Sequence, residues 1–384
     1  VRSGTMAHAM ERRLLMLITE DWYFWSHRRH LARSALAAGW EVALATRVGE
    51  LGEPIRALGV RLLPIGLRRA RREPLGELAS IAELARLMRR ERPGVLHNVG
   101  VKPMLYGSWA ARLAGVRRVV NAQPGLGYVF AAPGVRAAVL RAAIGTAYRS
   151  AWAGAGTRVI FQNRANLEHF VGAGMVARER AVLIPGCGAD LEEFAARPLP
   201  EGPPVIMYAG RLLRDKGLAE LAAAAARLRA DGIRCRVVLV GRPDPSNPES
   251  LPEEQLRGWV ESGLLEWWGY RREMAETLAA ASIVVLPSYA EGLPKVLVEA
   301  AAVGRPIVAS DVPGCREVVR HGANGLLVPA RDAGALHAAL RALAGDRERC
   351  AEMGRRGRAL AEREFSAERL SAQTVALYES LLEG

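Results

Sequence analysis

Two acids and two cations offer the clearest chemistry in this chain. Glu291 and Glu299 lie within Glu291-Gly-Leu-Pro-Lys-Val-Leu-Val-Glu299, and Arg211 and Lys216 lie within Gly210-Arg-Leu-Leu-Arg-Asp-Lys216-Gly217. Vicinal sugar hydroxyls are good partners for both carboxylates, which accept hydrogen bonds. Gly292 and the residues beside it open a helix and present backbone N–H groups, which suits an anion or a ring of hydroxyls. The Gly210–Gly217 loop also leads into a helix. Its glycines let backbone approach closely, and its cations bracket a place suited to a diphosphate. Glu299 has Val, Leu and Ala on every side, where a lone carboxylate is costly to desolvate unless hydrogen-bonded. The alternative is an ordinary solvated helical glutamate.

The elements that must hold these groups can be read around them. Ile283 to Leu286 is a continuous apolar run, the pattern of a strand buried on both faces. Ser288 to Leu293 reads as a loop. Pro294 suits a first helical position, with φ preset and no N–H to lose. The helix should run to about Gly304, and Pro306 to Ser310 should form the next strand. This is a βαβ unit of a parallel sheet, whose ligands sit at the carboxyl ends of the strands. Val205–Ala209 is the strand that delivers Gly210. Strands at Arg236–Val240 and Glu266–Gly269 follow, the second leading into Tyr270-Arg271-Arg272.

The first half repeats the alternation. Strands are expected at 14–19, 41–45, 61–65, 95–98, 119–122, 158–161 and 182–184, with helices at about 27–39, 74–92 and 133–152. Glu20 to His27 reads as an aromatic-rich loop, in which Trp22, Tyr23 and Trp25 either stack on sugar or lipid or join the core. His97 ends a strand and Lys102 follows it, so both can face a cleft; a strand-end histidine is otherwise structural. Gly125-x-Gly127 is no dinucleotide fingerprint, because no third glycine follows at the required spacing. Arg68, Arg69, Arg71 and Arg72 form a basic loop, either a solvated surface or a contact for anionic lipid worth roughly 1 kcal/mol per residue. The helix at 133–152 alternates Arg with Val139, Leu140, Ile144, Tyr148 and Trp152; it packs on the sheet or lies on a membrane interface. Pro198 to Pro204 reads as a linker, and Phe365 to Leu382 as a last amphipathic helix.

The 384 residues suggest two domains, and a half-hydrophobic composition excludes a disordered chain. The net charge is +13, unevenly placed: residues 1–190 hold 28 basic and 13 acidic side chains, the remainder 25 and 27. A basic first half suits an anionic membrane surface, a diphosphate-bearing acceptor or nucleic acid. Nucleic acid is disfavoured, since neither a helix-turn-helix nor aromatics interleaved on a basic strand are found. Cys187, Cys235, Cys315 and Cys350 show no paired spacing and read as reduced thiols without a metal role. No run of about 18 apolar residues is free of charge, so no span is expected. Residues 1–10 lack the apolar region of a signal peptide and read as a frayed end or start-site artefact.

The stretch EGLPKVLVEA followed by GRPIVASDVPGCREVV resembles the signature of retaining glycosyltransferases of the GT-B fold, family 4, as does the upstream G-R-x-x-x-x-K-G. The likeness runs from about residue 12 to 381 and is greater to the CapM/PglA-like enzymes of bacterial lipid-linked glycans and capsules. It implies an α/β fold of two Rossmann-like parallel-sheet domains facing across a cleft. These would be residues 1–197, acceptor-binding, and 205–365, nucleotide-sugar-binding, with a C-terminal helix at about 366–384 crossing back to the first.

By the same resemblance Arg211 and Lys216 neutralise the donor pyrophosphate. Glu291, with Gly292, Leu293 and Pro294, holds the sugar, Glu299 the ribose, and Tyr270 and Arg271 the nucleobase. His97, Lys102, Gly125 and Gly127 fall on the acceptor side. Transfer would need neither metal nor other cofactor, the donor being a nucleotide sugar, UDP-linked by expectation. The acceptor would be a polyprenyl-diphosphate-linked sugar at the cytoplasmic face of the membrane. A soluble acceptor, or epimerisation of a nucleotide sugar, is the alternative, and oligomeric state is left open. The chain departs from the wider family in three places: no Gly-Gly pair in 20–27, no histidine near Gln123, and Glu273 where aspartate is usual.

Overall fold

Runs such as Leu14-Leu-Met-Leu-Ile18 have no polar face, so they can form strands only where helices cover both sides of a sheet. The computed structural model, which describes residues 12–68, 74–123, 125, 135–245 and 247–383, contains two such sheets. The first holds β1 (Arg13–Glu20), β2 (Glu41–Arg47), β3 (Arg61–Pro64), β4 (Val95–Val99), β5 (Val119–Gln123), β6 (Thr157–Phe161) and β7 (Ala181–Leu183). The second holds β8 (Val205–Ala209), β9 (Arg236–Val240), β10 (Glu266–Trp267), β11 (Ile283–Leu286), β12 (Ile307–Ser310) and β13 (Gly325–Val328). Every ladder is parallel. Their orders, β3-β2-β1-β4-β5-β6-β7 and β10-β9-β8-β11-β12-β13, are both Rossmann-like, reversing direction beside the first strand of each sheet.

The chain divides into two units, Val1–Cys187 with Ala367–Gly384, and Gly188–Ser366. The break precedes the proline-rich stretch 198–204. Residues 188–197, expected in the first domain, belong with the second because Phe194 is buried in its core and Arg358 donates to the Leu191, Phe194 and Ala302 carbonyls.

The last helix, Ala367–Glu383, is part of the first unit's core through Leu370, Val375, Tyr378 and Leu381. Its Tyr378 explains a correction. The sequence lets His97 face a cleft on the acceptor side or serve a structural role; it is buried, 1% exposed, with Nδ1 hydrogen-bonded to the Tyr378 hydroxyl, which is the structural one. Burial, reinforced by the nearby Arg28 charge, holds the imidazole well below its ordinary pKa, and burial raises the phenol. His97 thus works as a structural strap.

Other expectations also change. Asp21–His27 is a helix, not a loop: Asp21 accepts from the Gly49 and Leu51 amides at 2.6 and 3.3 Å and thereby ties the helix start to the loop after β2. Its aromatics divide, Phe24 in the core, Tyr23 and Trp25 packed against it, Trp22 exposed. In the helix Val135–Ala151, Tyr148 is buried and stacks with the equally buried Trp152 just beyond the helix, whereas Val139 and Leu140 are exposed. Residues 1–11, Arg69, Arg71, Arg72 and Gly127 lie outside the described residues.

In the second unit, glycines bring the loops at the strand carboxyl ends into backbone contact. Gly217 has φ +70°, and a Cβ there would lie 2.1 Å from the Pro287 carbonyl oxygen. Gly241, at φ +135°, would meet the Gly210 carbonyl at 1.8 Å. A Cβ on Gly314 would lie 2.5 Å from the Gly292 carbonyl. The loops after β8, β9, β11 and β12 are thereby fixed to one another.

Two stability measurements check these contacts. Tyr378→Phe leaves the buried His97 Nδ1 without its partner and should cost about 1–3 kcal/mol in urea unfolding. Gly217→Ala should cost at least about 2 kcal/mol, combining left-handed strain with the collision. Gly322→Ala is its control: φ is +78° there, but nothing lies within 4 Å of the added Cβ, so it should cost clearly less.

Candidate active site

In a doubly wound sheet the crevice opens where the strand order reverses, outside the carboxyl ends of the two flanking strands. In the second unit those strands are β8 and β11. The Gly210–Gly217 loop follows β8, and the Pro287–Pro294 segment follows β11, so the fold itself brings the two sequence motifs together. The Tyr289 amide donates to the Asp215 carbonyl at 2.9 Å, which joins the loops by backbone as well.

Across this join Lys216 Nζ donates to Glu291 Oε1 at 2.7 Å, with side chains only 16% and 14% exposed. Arg211 lies further out, 3.3 Å from Asp244 on the loop after β9. Beneath them Tyr208, fully buried at β8, donates to the Arg211 carbonyl at 2.7 Å. Burial first, then the Glu291 and Asp215 charges, pushes that phenol well above its ordinary range, so it stays a neutral donor. The Cys315 thiol is likewise pushed well up by burial and by Glu291, and is inert as a nucleophile at neutral pH.

The helix Lys295–Val303 begins one residue later than expected. Pro294 is its N-cap, at φ −73° and ψ 110°, rather than its first helical residue. Glu299 is not a solvated glutamate. It is 4% exposed, and Lys295 one turn earlier is its ion partner. Ser288 and Ser310, at the ends of the adjacent strands β11 and β12, are buried with hydroxyl oxygens that have no protein partner, as is Asp215 Oδ1. These are the polar atoms a ligand at the loop junction could satisfy. Tyr208, Lys295, Ser288 and Ser310 escaped the sequence reading. Serines following apolar strands were the available signal, but they resemble ordinary turn residues.

Tyr270 and Arg271 follow the edge strand β10, two strands from the switch point. Tyr270 is 61% exposed with the Arg242 guanidinium 5.2 Å from its ring, and Arg271 lies 5.9 Å from the Trp268 ring. Cation–aromatic pairs of this kind place positive charge beside aromatic rings.

The first-unit candidates form no comparable cluster among the described residues. His97 is the buried strap. Lys102 is paired with Glu77 at 2.6 Å and donates to the Arg68 carbonyl at 3.0 Å. The Gly125 carbonyl accepts from Gln123 Nε2 at 2.9 Å.

Residues 13–163 match the family described as glycosyl transferase 4-like, and residues 203–346 match glycosyl transferases group 1. The chain is 27% identical over 306 residues to an N,N'-diacetylbacillosaminyl-diphospho-undecaprenol alpha-1,3-N-acetylgalactosaminyltransferase of Campylobacter jejuni, covering 76% of this chain and 79% of that one. Among solved structures, sucrose-phosphate synthase from Thermosynechococcus elongatus superposes with TM-score 0.81 at 23% identity, covering 97% and 99% of the two chains. Anabaena HepE, solved with UDP-glucose, gives TM-score 0.76 at 20% identity over 97% and 100%. The structural likenesses are likenesses of fold. With a glycosyltransferase family matched on each unit and two sheets in Rossmann order, this chain is a glycosyltransferase of the GT-B type.

Proposed function

We propose that this enzyme moves a hexose or N-acetylhexosamine, with retention and without a metal, from a nucleotide donor to a polyprenyl-diphosphate-linked sugar. The observation that carries the donor half is the Lys216–Glu291 pair at the β8/β11 switch point. A cation and an acid held in contact there can separate onto a ligand that offers both phosphate and hydroxyls. UDP is the first donor nucleotide to test, since HepE was solved with UDP-glucose.

In this reading Lys216, Arg211 and the N–H groups around Gly292 stabilise the diphosphate as the glycosidic bond breaks. Gly292, Leu293 and Pro294 shape the turn that receives it. Glu291 holds sugar hydroxyls, Glu299 the ribose, and Tyr270 with Arg271 the base. No side chain is assigned as a nucleophile. The leaving phosphate takes the acceptor's proton, and the acceptor attacks from the same face. The sequence contains no Asp-x-Asp pattern to chelate a metal between diphosphate and protein, in keeping with electrostatic assistance from the protein alone.

For the acceptor, the support is the Campylobacter relative, named for a diphospho-undecaprenol-linked sugar, and the charge of the first unit. Residues 92–167 hold ten Lys and Arg and not one Asp or Glu, so that no acid there opposes a pyrophosphate or an anionic leaflet. Exposed Leu113, Val139 and Leu140 lie in the same stretch. Among the described residues no helix is long and apolar enough to cross a membrane, and contact would be peripheral, at the cytoplasmic face. Lys102 and the Gly125–Gly127 segment remain the acceptor-side candidates; the buried His97 does not.

Glu291→Gln and Lys216→Ala should each lower transfer by about a hundredfold or more while circular dichroism stays native. Full activity in either variant would end the donor-site assignment. Transfer should be unchanged in EDTA, and a strict metal requirement would overturn the mechanism. In thermal-shift assays UDP should raise the Tm of the wild type, because a ligand that binds only the folded state stabilises it.

A further inference from the structure

The acid assigned to ribose comes with its own cation. Glu299 sits on a helix whose other inward residues, Leu297, Val298 and Ala300 to Val303, are fully buried, so its carboxylate faces the full cost of desolvation. A buried carboxyl without a partner avoids that cost by taking up a proton. Once protonated it donates a hydrogen bond as well as accepting, whereas an ionised carboxylate accepts only. Two vicinal hydroxyls that both donate are better matched by the ionised form, which offers an acceptor on each oxygen and its full charge.

Several charged groups of the surrounding elements have partners of their own. Arg358, from the helix Arg347–Glu364, is spent on Glu362 and on the Leu191, Phe194 and Ala302 carbonyls. Arg305 donates to the Pro198, Leu278 and Ala279 carbonyls. Arg316 is held by Asp311, and Lys216 by Glu291. Lys295 is the cation at Glu299, placed by the i, i+4 spacing of one helix. Its ammonium also lies 5.5 Å from the Phe194 ring, which limits where it can swing.

We propose that Lys295 is a positioning residue for donor recognition: it keeps Glu299 a charged, acceptor-only carboxylate so that both ribose hydroxyls can donate to it. This rests on the reading of Glu299 as the ribose-binding acid. It assigns to Lys295 no contact with phosphate, which separates it from Lys216.

Calorimetric titration with UDP and with 2′,3′-dideoxy-UDP tests the assignment in the wild type and in Lys295→Met, Lys295→Arg, Glu299→Gln and Lys216→Met. The wild type should prefer UDP by about tenfold or more, the worth of hydrogen bonds to a charged acceptor. Lys295→Met should lose most of that preference while binding the dideoxy compound as the wild type does, and Lys295→Arg should regain it. A preference unchanged in Lys295→Met overturns the proposal. So does an equal weakening of both ligands, which would mark a phosphate contact or a general loss of structure. Should the wild type and Glu299→Gln fail alike to distinguish the two compounds, the ribose reading itself fails and the proposal with it. Lys216→Met, expected to weaken both ligands equally, reports separately on the diphosphate half of the site.

Discussion

The constraint on which the second unit depends is the approach of two backbones. Gly217 and the Pro287 carbonyl come so close that no side chain fits between them, and the left-handed φ of Gly217 turns the chain into its helix at that point. The Tyr289–Asp215 hydrogen bond lies beside this contact. Lys216 and Glu291 meet because the loops meet. The reverse account, with the ion pair drawing the loops together, fails on magnitude. A pair removed from water recovers little more than its desolvation cost, and exposed pairs contribute about 0–1 kcal/mol. Burial of β8 and β11 and the backbone contact do the holding. The pair therefore has a different value: the charges are already in place, so little reorganisation is needed when a ligand takes over from each partner.

How much of this was legible in the sequence follows from how local each signal is. Strands β8 and β11 announce themselves by unbroken apolar runs, and the two motifs by glycines beside charges, all within a few residues. What escaped depends on distant partners. Nothing near His97 marks it as buried, because its partner Tyr378 lies 281 residues later. The Asp21–His27 helix lacks a side-chain cap of its own; its Asp21 is used by amides of another loop, so the usual start signal is missing. The stretch 198–204 has the composition of a linker. The unit boundary is nevertheless set upstream, by Phe194 and by Arg358 reaching back from the other end of the unit. Glu299 was legible as a problem, an acid among apolar residues. Its solution was printed four residues earlier, but a lysine at a helix start looks like any surface lysine.

The two halves of the chain divide the electrostatic work unequally. The second unit is almost neutral, and at the candidate site Arg211 faces Asp244, Lys216 faces Glu291 and Lys295 faces Glu299. Such a site exerts little net long-range pull on an anionic donor, since each cation's field is largely cancelled at a distance by its acid. In the proposed reading, donor recognition is an exchange of partners at contact range: hydroxyls replace Lys216 at Glu291, phosphate replaces acids at Lys216 and Arg211, and Lys295 stays beside Glu299. Affinity then follows hydrogen-bond geometry more than ionic strength. The net positive charge is carried instead by the first unit, where a run of residues without a single acid can act over a Debye length of about 8 Å in physiological salt. Salt should therefore distinguish the two substrates. If the acceptor is the proposed lipid-linked pyrophosphate, met through that basic stretch, it responds to ionic strength much more steeply than a nucleotide sugar met through paired charges, so that raising salt lifts the KM for the acceptor while leaving the KM for the donor nearly where it was. Equal sensitivity of the two would mean that the pairs at the donor site are not intact in the free enzyme.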